Sequence, residues 1–407
     1  MKRHSLLALQ MLSFTFMGAM GSFVNYINLY LEQVLGFTGS QIGLITMVSM
    51  GLVIVVNPIF GFIGDKTGKH ILMLKIAFFL SAILVLIYSQ STAFGVVLAV
   101  AIFFEISRAC IAPFFDLVTS DYCARINFDF GKVRVFSSIG FMITVMSVGF
   151  MIAGLQFPWF GGATVGFDGF LSIRMAVFGA VTLFLCLSFI LMFFVPQPEK
   201  KEKEDVDKFT SEDIKDLLKN RKFQFILVFI ILSLVALESA KSFVGNHLVV
   251  GLGSAENIVS VMTFMMVLPE FALLPLGSRI IRKFGFKRWY IFTMITMLIR
   301  IVVYSFTSSV VIFALVSSFH GFGVATHVAG NISFIRRVVK PKVLGLSFTI
   351  MVSVTAGSRA ILSFINGLLY QHFDGYAVFR FASVFIFCGL LWVLKSKSLA
   401  EIGRSDF

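Results

Sequence analysis

Eleven ionisable side chains lie inside stretches that are otherwise apolar: Glu105, Arg108, Asp116, Arg134, Glu238, Lys241, Glu270, Arg300, His320, His327 and Arg359. A charge in hydrocarbon costs a few kcal/mol, so each is expected to face a partner or a wet cavity and to bear on function. Asp116 and Arg134 pair a carboxylate acceptor with a rigid guanidinium fork, a combination suited to solute hydroxyl groups. The alternative is a salt bridge at the cytoplasmic end that merely ties span four to span five. Phe141 follows Arg134 by seven residues, about two helical turns, where its ring could lie against an apolar ring face. Glu270, Arg300 and His320 supply the acid, base and titratable imidazole of a proton relay. Glu105 with Arg108 and Glu238 with Lys241 stand at i, i+3 spacing and can neutralise each other locally. His327 reads most simply as a hydrogen-bonded packing residue. No nucleophile constellation, clustered metal ligands or GxxxxGK[ST] loop occurs, so neither enzyme chemistry nor a metal or cofactor is expected.

Helices must carry these groups. The 407 residues are 58% hydrophobic with a mean hydropathy of +0.93, well above the 45–50% apolar share of soluble domains. Twelve apolar runs recur at about 7–34, 41–63, 71–90, 94–122, 134–156, 171–195, 223–251, 257–281, 289–306, 309–335, 343–370 and 376–394. Each suits the roughly 20 residues needed to cross a bilayer. The 50 Phe against 3 Trp and 8 Tyr read as packing and lipid-facing bulk. The first run follows Met1-Lys2-Arg3-His4 at spanning length and is expected to stay as the first span.

The net charge of +13 is not a nucleic-acid footprint, because Lys and Arg concentrate in alternate loops. Lys66 and Lys69; Arg125 and Lys132; Arg282, Lys283, Lys287 and Arg288; and Arg336, Arg337, Lys340 and Lys342 occupy the even loops. Loops 36–41, 89–93, 156–172 and 251–257 have no Lys or Arg. The positive-inside bias then puts both termini in the cytoplasm of a multi-pass inner-membrane protein. Cys110, Cys123, Cys186 and Cys388 have no paired spacing and read as small buried hydrophobes.

Residues 199–222 form the one plainly soluble stretch, with eight basic and eight acidic residues. They divide the chain into a six-span half (1–198), a charged linker (199–222) and a second six-span half (223–407). FGFIGDKTGKH after span two and LGSRIIRKFGFKR after span eight are Gly-and-base-rich turns at corresponding places. A 6+6 layout with parallel internal repeats is that of the major facilitator superfamily.

Residues 61–70, with Asp65 and Gly68, resemble that superfamily's loop signature. NFDFGKVRVFSSIGF (127–141), with Pro113 and Asp116 upstream, more specifically resembles the oligosaccharide:proton symporter family. MGAM near span one, RIVVYSF at Arg300 and FHGF at His320 extend the likeness. The resemblance implies an all-α membrane protein of twelve transmembrane helices in two six-helix halves. It places Asp116 and Arg134 on sugar-binding positions, Phe141 on that of a stacking aromatic, and Asn246 on that of a family Asn near the sugar. Glu270 resembles the acid that bonds both sugar and histidine. Arg359 lies one turn past a family Lys, within possible reach of Glu238. Two positions depart from the pattern: Gly323 replaces the proton-carrying Glu one turn after the histidine, and Ser317 replaces a Lys one turn before it.

The expected activity is import of a di- or oligosaccharide with a proton by alternating access. Asp116, Arg134, Phe141, Glu270, His320 and Asn246 would contact substrate; Glu270, Arg300, His320 and Glu238 would couple the proton, with Arg300 favouring its release. Partners are the sugar, the proton and the lipid bilayer, and a monomer is expected. The departures at Gly323 and Ser317 keep open a uniporter, or a carrier of an aromatic acid or nucleoside. The abundance of Phe and Met keeps open multidrug efflux.

Overall fold

In lipid a backbone has no water to bond, so each apolar run must satisfy its own N–H and C=O groups as a helix. The computed structural model describes residues 2–154, 168–195 and 211–396, and there the chain is helical with no strand. Expectations that fall on residues 155–167, 199–210 and 397–407, including most of the charged linker, lie outside the described residues. So does the side chain of Asp65. The chain divides into two compact units.

The first unit comprises Met1–Glu202 with Gly253–Ser260. Its helices are α1 (Lys2–Gln33), α2 (Gly39–Thr67), α3 (His70–Gln90), α4 (Phe94–Ala109), α5 (Ile111–Arg125), α6 (Phe130–Ala153) and α7 (Ile173–Leu191). Span four is α4 and α5 in succession, broken at Cys110 three residues before Pro113. Proline at a third helical position costs no interior hydrogen bond, so a new helix starts there readily. Thr38 closes a capping box with Gln41 at the start of α2, and Asp129 caps α6 through the Gly131 N–H. The core is the packing of α1 along α6 and α7. Small residues permit the approach: a Cβ on Gly140 would lie 2.2 Å from the Phe14 carbonyl oxygen, and one on Gly21 2.8 Å from that of Phe141.

The second unit comprises Lys203–Leu252 with Val261–Phe407. It begins with α8 (Ser211–Lys219), then α9 (Arg221–Ile230), α10 (Ala236–Lys241) and α11 (Val244–Asn246), with π-helical turns at Ile231–Val235 and His247–Gly251. There follow α12 (Ile258–Phe284), α13 (Phe286–Phe306), α14 (Val310–Ser317), α15 (His320–Ala325), a π turn at Thr326–Gly330, α16 (Asn331–Val338), α17 (Leu344–His372) and α18 (Gly375–Lys395). In this unit spans seven and ten are interrupted by π turns, and they carry Glu238, Lys241, His320 and His327. Such π turns rotate the residues that follow them and recur at functional sites. α13 lies against α18, and α10 against α17 and α18.

All twelve expected crossings are helical. Among the described residues, nine helices are long and apolar enough to span a membrane, and Ile258–Glu270 and Val310–Val324 are shorter apolar stretches. The two Gly-and-base-rich turns share a backbone device: Gly68 (φ +66°) ends α2 and Gly285 (φ +79°) separates α12 from α13. That left-handed conformation is strained for any residue with a Cβ. One expectation fails: Cys110 and Cys123 are buried, but Cys186 and Cys388 are exposed. Both exposed thiols lie on helices whose outer faces carry large bare hydrophobics, such as Leu183 and Leu187 on α7, so a surface made for lipid accepts them as readily as a core would.

Candidate functional site

In the first unit, α5 and α6 bring Asp116 and Arg134 together: Arg134 Nη1 donates to Asp116 Oδ1 at 2.7 Å. Both side chains stay open, 49% exposed for Arg134 and 39% for Asp116, so the pair keeps unused donors and acceptors for a solute. Phe141 sits two turns along α6, half-buried, with its carbonyl turned to Gly21 of α1. Arg108 Nη2 donates to Glu105 Oε1 at 2.7 Å across one helical turn. Glu105 is buried and its charge is met by its own helix neighbour, the local neutralisation expected from the spacing.

The second unit gathers five charged groups from four helices around His320. Arg300, on α13, donates from Nη1 to His320 Nδ1 at 2.9 Å. Arginine cannot accept, so Nδ1 is the acceptor and the ring proton resides on Nε2. That Nε2 faces two carboxylates, Glu238 Oε1 at 3.6 Å from α10 and Glu270 Oε1 at 3.8 Å from α12. The two acids are supported unequally. Glu238 also has Lys241 Nζ at 3.8 Å and Arg359 Nη2 of α17 at 3.9 Å, whereas among the described residues Glu270 has only His320 as an ionic contact within 4 Å, and Lys241 acts on it from farther away. Arg300 bonds the imidazole, which stands between it and Glu270. The position one turn past His320 is Gly323 and bears no acid, but Glu238 brings a second carboxylate to the ring from span seven.

Arg300 is 1% exposed and held on every side. Its Nε donates to the Tyr304 hydroxyl at 3.3 Å, and Nη2 contacts Met266 Sδ at 3.7 Å. The Tyr304 hydroxyl lies 2.5 Å from Ser317 Oγ, which also donates to the Phe313 carbonyl at 2.7 Å. Ser317 thus takes the place of a basic residue with a hydroxyl relay that steadies Arg300. Tyr304 was not singled out from sequence, although it stands four residues after Arg300 in RIVVYSF, the spacing at which helix side chains meet.

Two further named residues belong to this unit. Asn246 is on the short α11 and is 1% exposed. His327 belongs to a separate buried chain: Nε2 meets Ser233 Oγ at 3.2 Å, Asn331 Nδ2 lies 2.8 Å from Nδ1, and the Tyr290 hydroxyl donates to Asn331 Oδ1 at 2.9 Å. Both ring nitrogens are satisfied, as a packing role requires. The chain links the π turn of span seven to that of span ten, a feature no residue pattern announces. Among the described residues no group of His, Cys, Asp and Glu could hold a metal ion.

Three comparisons bear on this arrangement. Residues 6–381 match the model of the family described as "MFS_1 like family". The chain is 21% identical over 389 residues to the uncharacterized transporter YwbF of Bacillus subtilis (strain 168), covering 94% of this chain and 92% of that one. It is 20% identical over 377 residues to the maltose permease of Geobacillus stearothermophilus, covering 92% and 90%. In fold it is similar to the nucleoside transporter NupG, with a TM-score of 0.78 at 16% identity over 96% of this chain and 99% of that one.

Proposed function

We infer the function from one premise: the chain belongs to the MFS_1 like family and is a multi-pass membrane transporter of the major facilitator superfamily, acting on small molecules. We propose that it imports a small sugar, a di- or oligosaccharide, together with a proton by alternating access in the cell inner membrane, as a monomer with both termini in the cytoplasm. The observation that carries the reading is the meeting of two carboxylates at one imidazole N–H, with Arg300 holding the opposite ring nitrogen. A partly buried acid whose one ionic contact within 4 Å is a neutral imidazole can gain and lose a proton without breaking a close ion pair.

In this scheme Glu270 carries the proton and His320 relays between it and the sugar. Arg300 fixes the tautomer, and Glu238 stays ionised as the counter-charge of Lys241 and Arg359. Asp116 and Arg134 bind sugar hydroxyls, with Phe141 against the ring face and Asn246 as a further contact. The similarity to a maltose permease supports a disaccharide. A second reading has its own support: with both acids ionised, Lys241, Arg300 and Arg359 outnumber Glu238 and Glu270, and an anionic solute such as an aromatic acid would balance the excess.

Reconstituted protein should accumulate labelled maltose or a related disaccharide when the inside is made negative and alkaline, and a protonophore should abolish the gradient. Uptake indifferent to the protonophore would overturn the coupling. Uptake of an aromatic acid with no sugar uptake would select the second reading.

A further inference from the structure

A groove of about 620 Å³ runs along the outer surface of the second unit between the start of α9 and the end of α18. Its wall is apolar, formed by Phe225, Leu227, Val228 and Trp392, and its end is framed by Arg221 and Lys395. The Phe225 and Trp392 rings stack at 6.1 Å with 8° between planes, a flat floor of which Trp392 is 44% exposed. Leu391 and Leu394, beside it on α18, are bare on the same helix end, as a surface made for acyl chains would be.

The charges at the end of the groove are unspent. Among the described residues neither Arg221 nor Lys395 forms an ion pair, and no carboxylate lines the groove. Elsewhere in this unit Lys342 pairs with Asp213 at 3.0 Å and Lys340 with Asp216 at 3.8 Å. Lys287, from a basic loop, donates to the Ser396 carbonyl at 3.1 Å, which places the groove's end at the level of that loop. Two free cations above an aromatic and aliphatic trough match a molecule with an anionic head and a hydrocarbon tail. Basic pockets between helices at the headgroup level take acidic lipids, whereas a free anion would have no use for the apolar wall.

We propose that this groove is a binding site for an anionic phospholipid of the leaflet on the side of the basic loops, with its phosphate between Arg221 and Lys395 and an acyl chain along Phe225 and Trp392. Each basic residue near a headgroup contributes about 1 kcal/mol, so losing both should weaken binding about 30-fold.

The test is native mass spectrometry of the full chain in neutral detergent, titrated with phosphatidylglycerol or phosphatidylcholine. Wild-type protein should retain phosphatidylglycerol preferentially. The R221A/K395A variant should bind it about 30-fold more weakly, while K132A/K283A, with the same net charge, should match wild type. R221K/K395R should keep the preference, which separates lost charge from lost folding. No preference in wild type, equal binding by R221A/K395A, or equal losses in the two alanine pairs would overturn the proposal. So would full displacement of the lipid by millimolar inorganic phosphate, which would make the site a reader of the free anion.

Discussion

The unequal support of the two acids around His320 makes a contrast that a pair of single substitutions can test. Glu238 has Lys241 at 3.8 Å and Arg359 at 3.9 Å. At an effective dielectric constant near 20, each contact corresponds to about 4 kcal/mol of attraction before desolvation is subtracted. Glu238→Gln leaves two cations facing one another without a carboxylate, and because the three side chains are 17%, 29% and 30% exposed, breaking the group should cost about 1–3 kcal/mol. Glu270 has only the imidazole as an ionic contact within 4 Å, at 3.8 Å and so beyond hydrogen-bond distance, and Glu270→Gln should cost at most about 1 kcal/mol, the range of a partly exposed ion pair. Its functional effect should be the opposite. With a 100 mV potential, moving one charge supplies about 2.3 kcal/mol, which supports about 50-fold accumulation of a symported solute. The E270Q protein should equilibrate solute to a ratio of about 1 while still exchanging labelled for unlabelled solute across the membrane. The assays are thermal unfolding in detergent and vesicle uptake under an imposed gradient. An E270Q protein that concentrates solute, or one that loses as much stability as E238Q, would refute the assignment.

Replacing Asp116 with Asn or Arg134 with Ala should change the melting temperature little, since an open pair contributes about 0–1 kcal/mol. Each should nonetheless weaken sugar binding by about 1.5–3 kcal/mol, read by ligand titration, if charge-assisted hydrogen bonds are lost. Tyr304→Phe keeps the ring contact with Phe313 but leaves Arg300 Nε without its acceptor, and about 1–3 kcal/mol of stability should go with it in a thermal scan. Gly140→Ala would drive a methyl to 2.2 Å from the Phe14 carbonyl oxygen, so α1 and α6 must part; a loss of about 1–3 kcal/mol is expected by the same measurement.

Much of this architecture is a direct consequence of the sequence. A backbone in lipid must satisfy its polar groups as a helix or in a closed barrel, and runs of about twenty apolar residues, twice the length of a barrel strand, specify twelve helices without knowledge of their neighbours. Periodicity also reached the local pairs: Glu105 with Arg108 and Glu238 with Lys241 are three residues apart, and the helix itself brings them together. Proximity across helices is different in kind. The pattern marks His320, Glu270 and Arg300 as costly in hydrocarbon, but not which nitrogen each approaches, because that depends on how α10, α12, α13, α15 and α17 rotate against one another. Tertiary structure alone put Arg300 on Nδ1 rather than on Glu270, brought Glu238 to the place where Gly323 offers no acid, and recruited Tyr304 and Ser317 to hold the guanidinium. The π turns in spans seven and ten have no compositional mark, since one extra residue in a turn is decided by packing and not by propensity. Burial cost singles out the residues that must have partners; only the packed helices decide who the partners are.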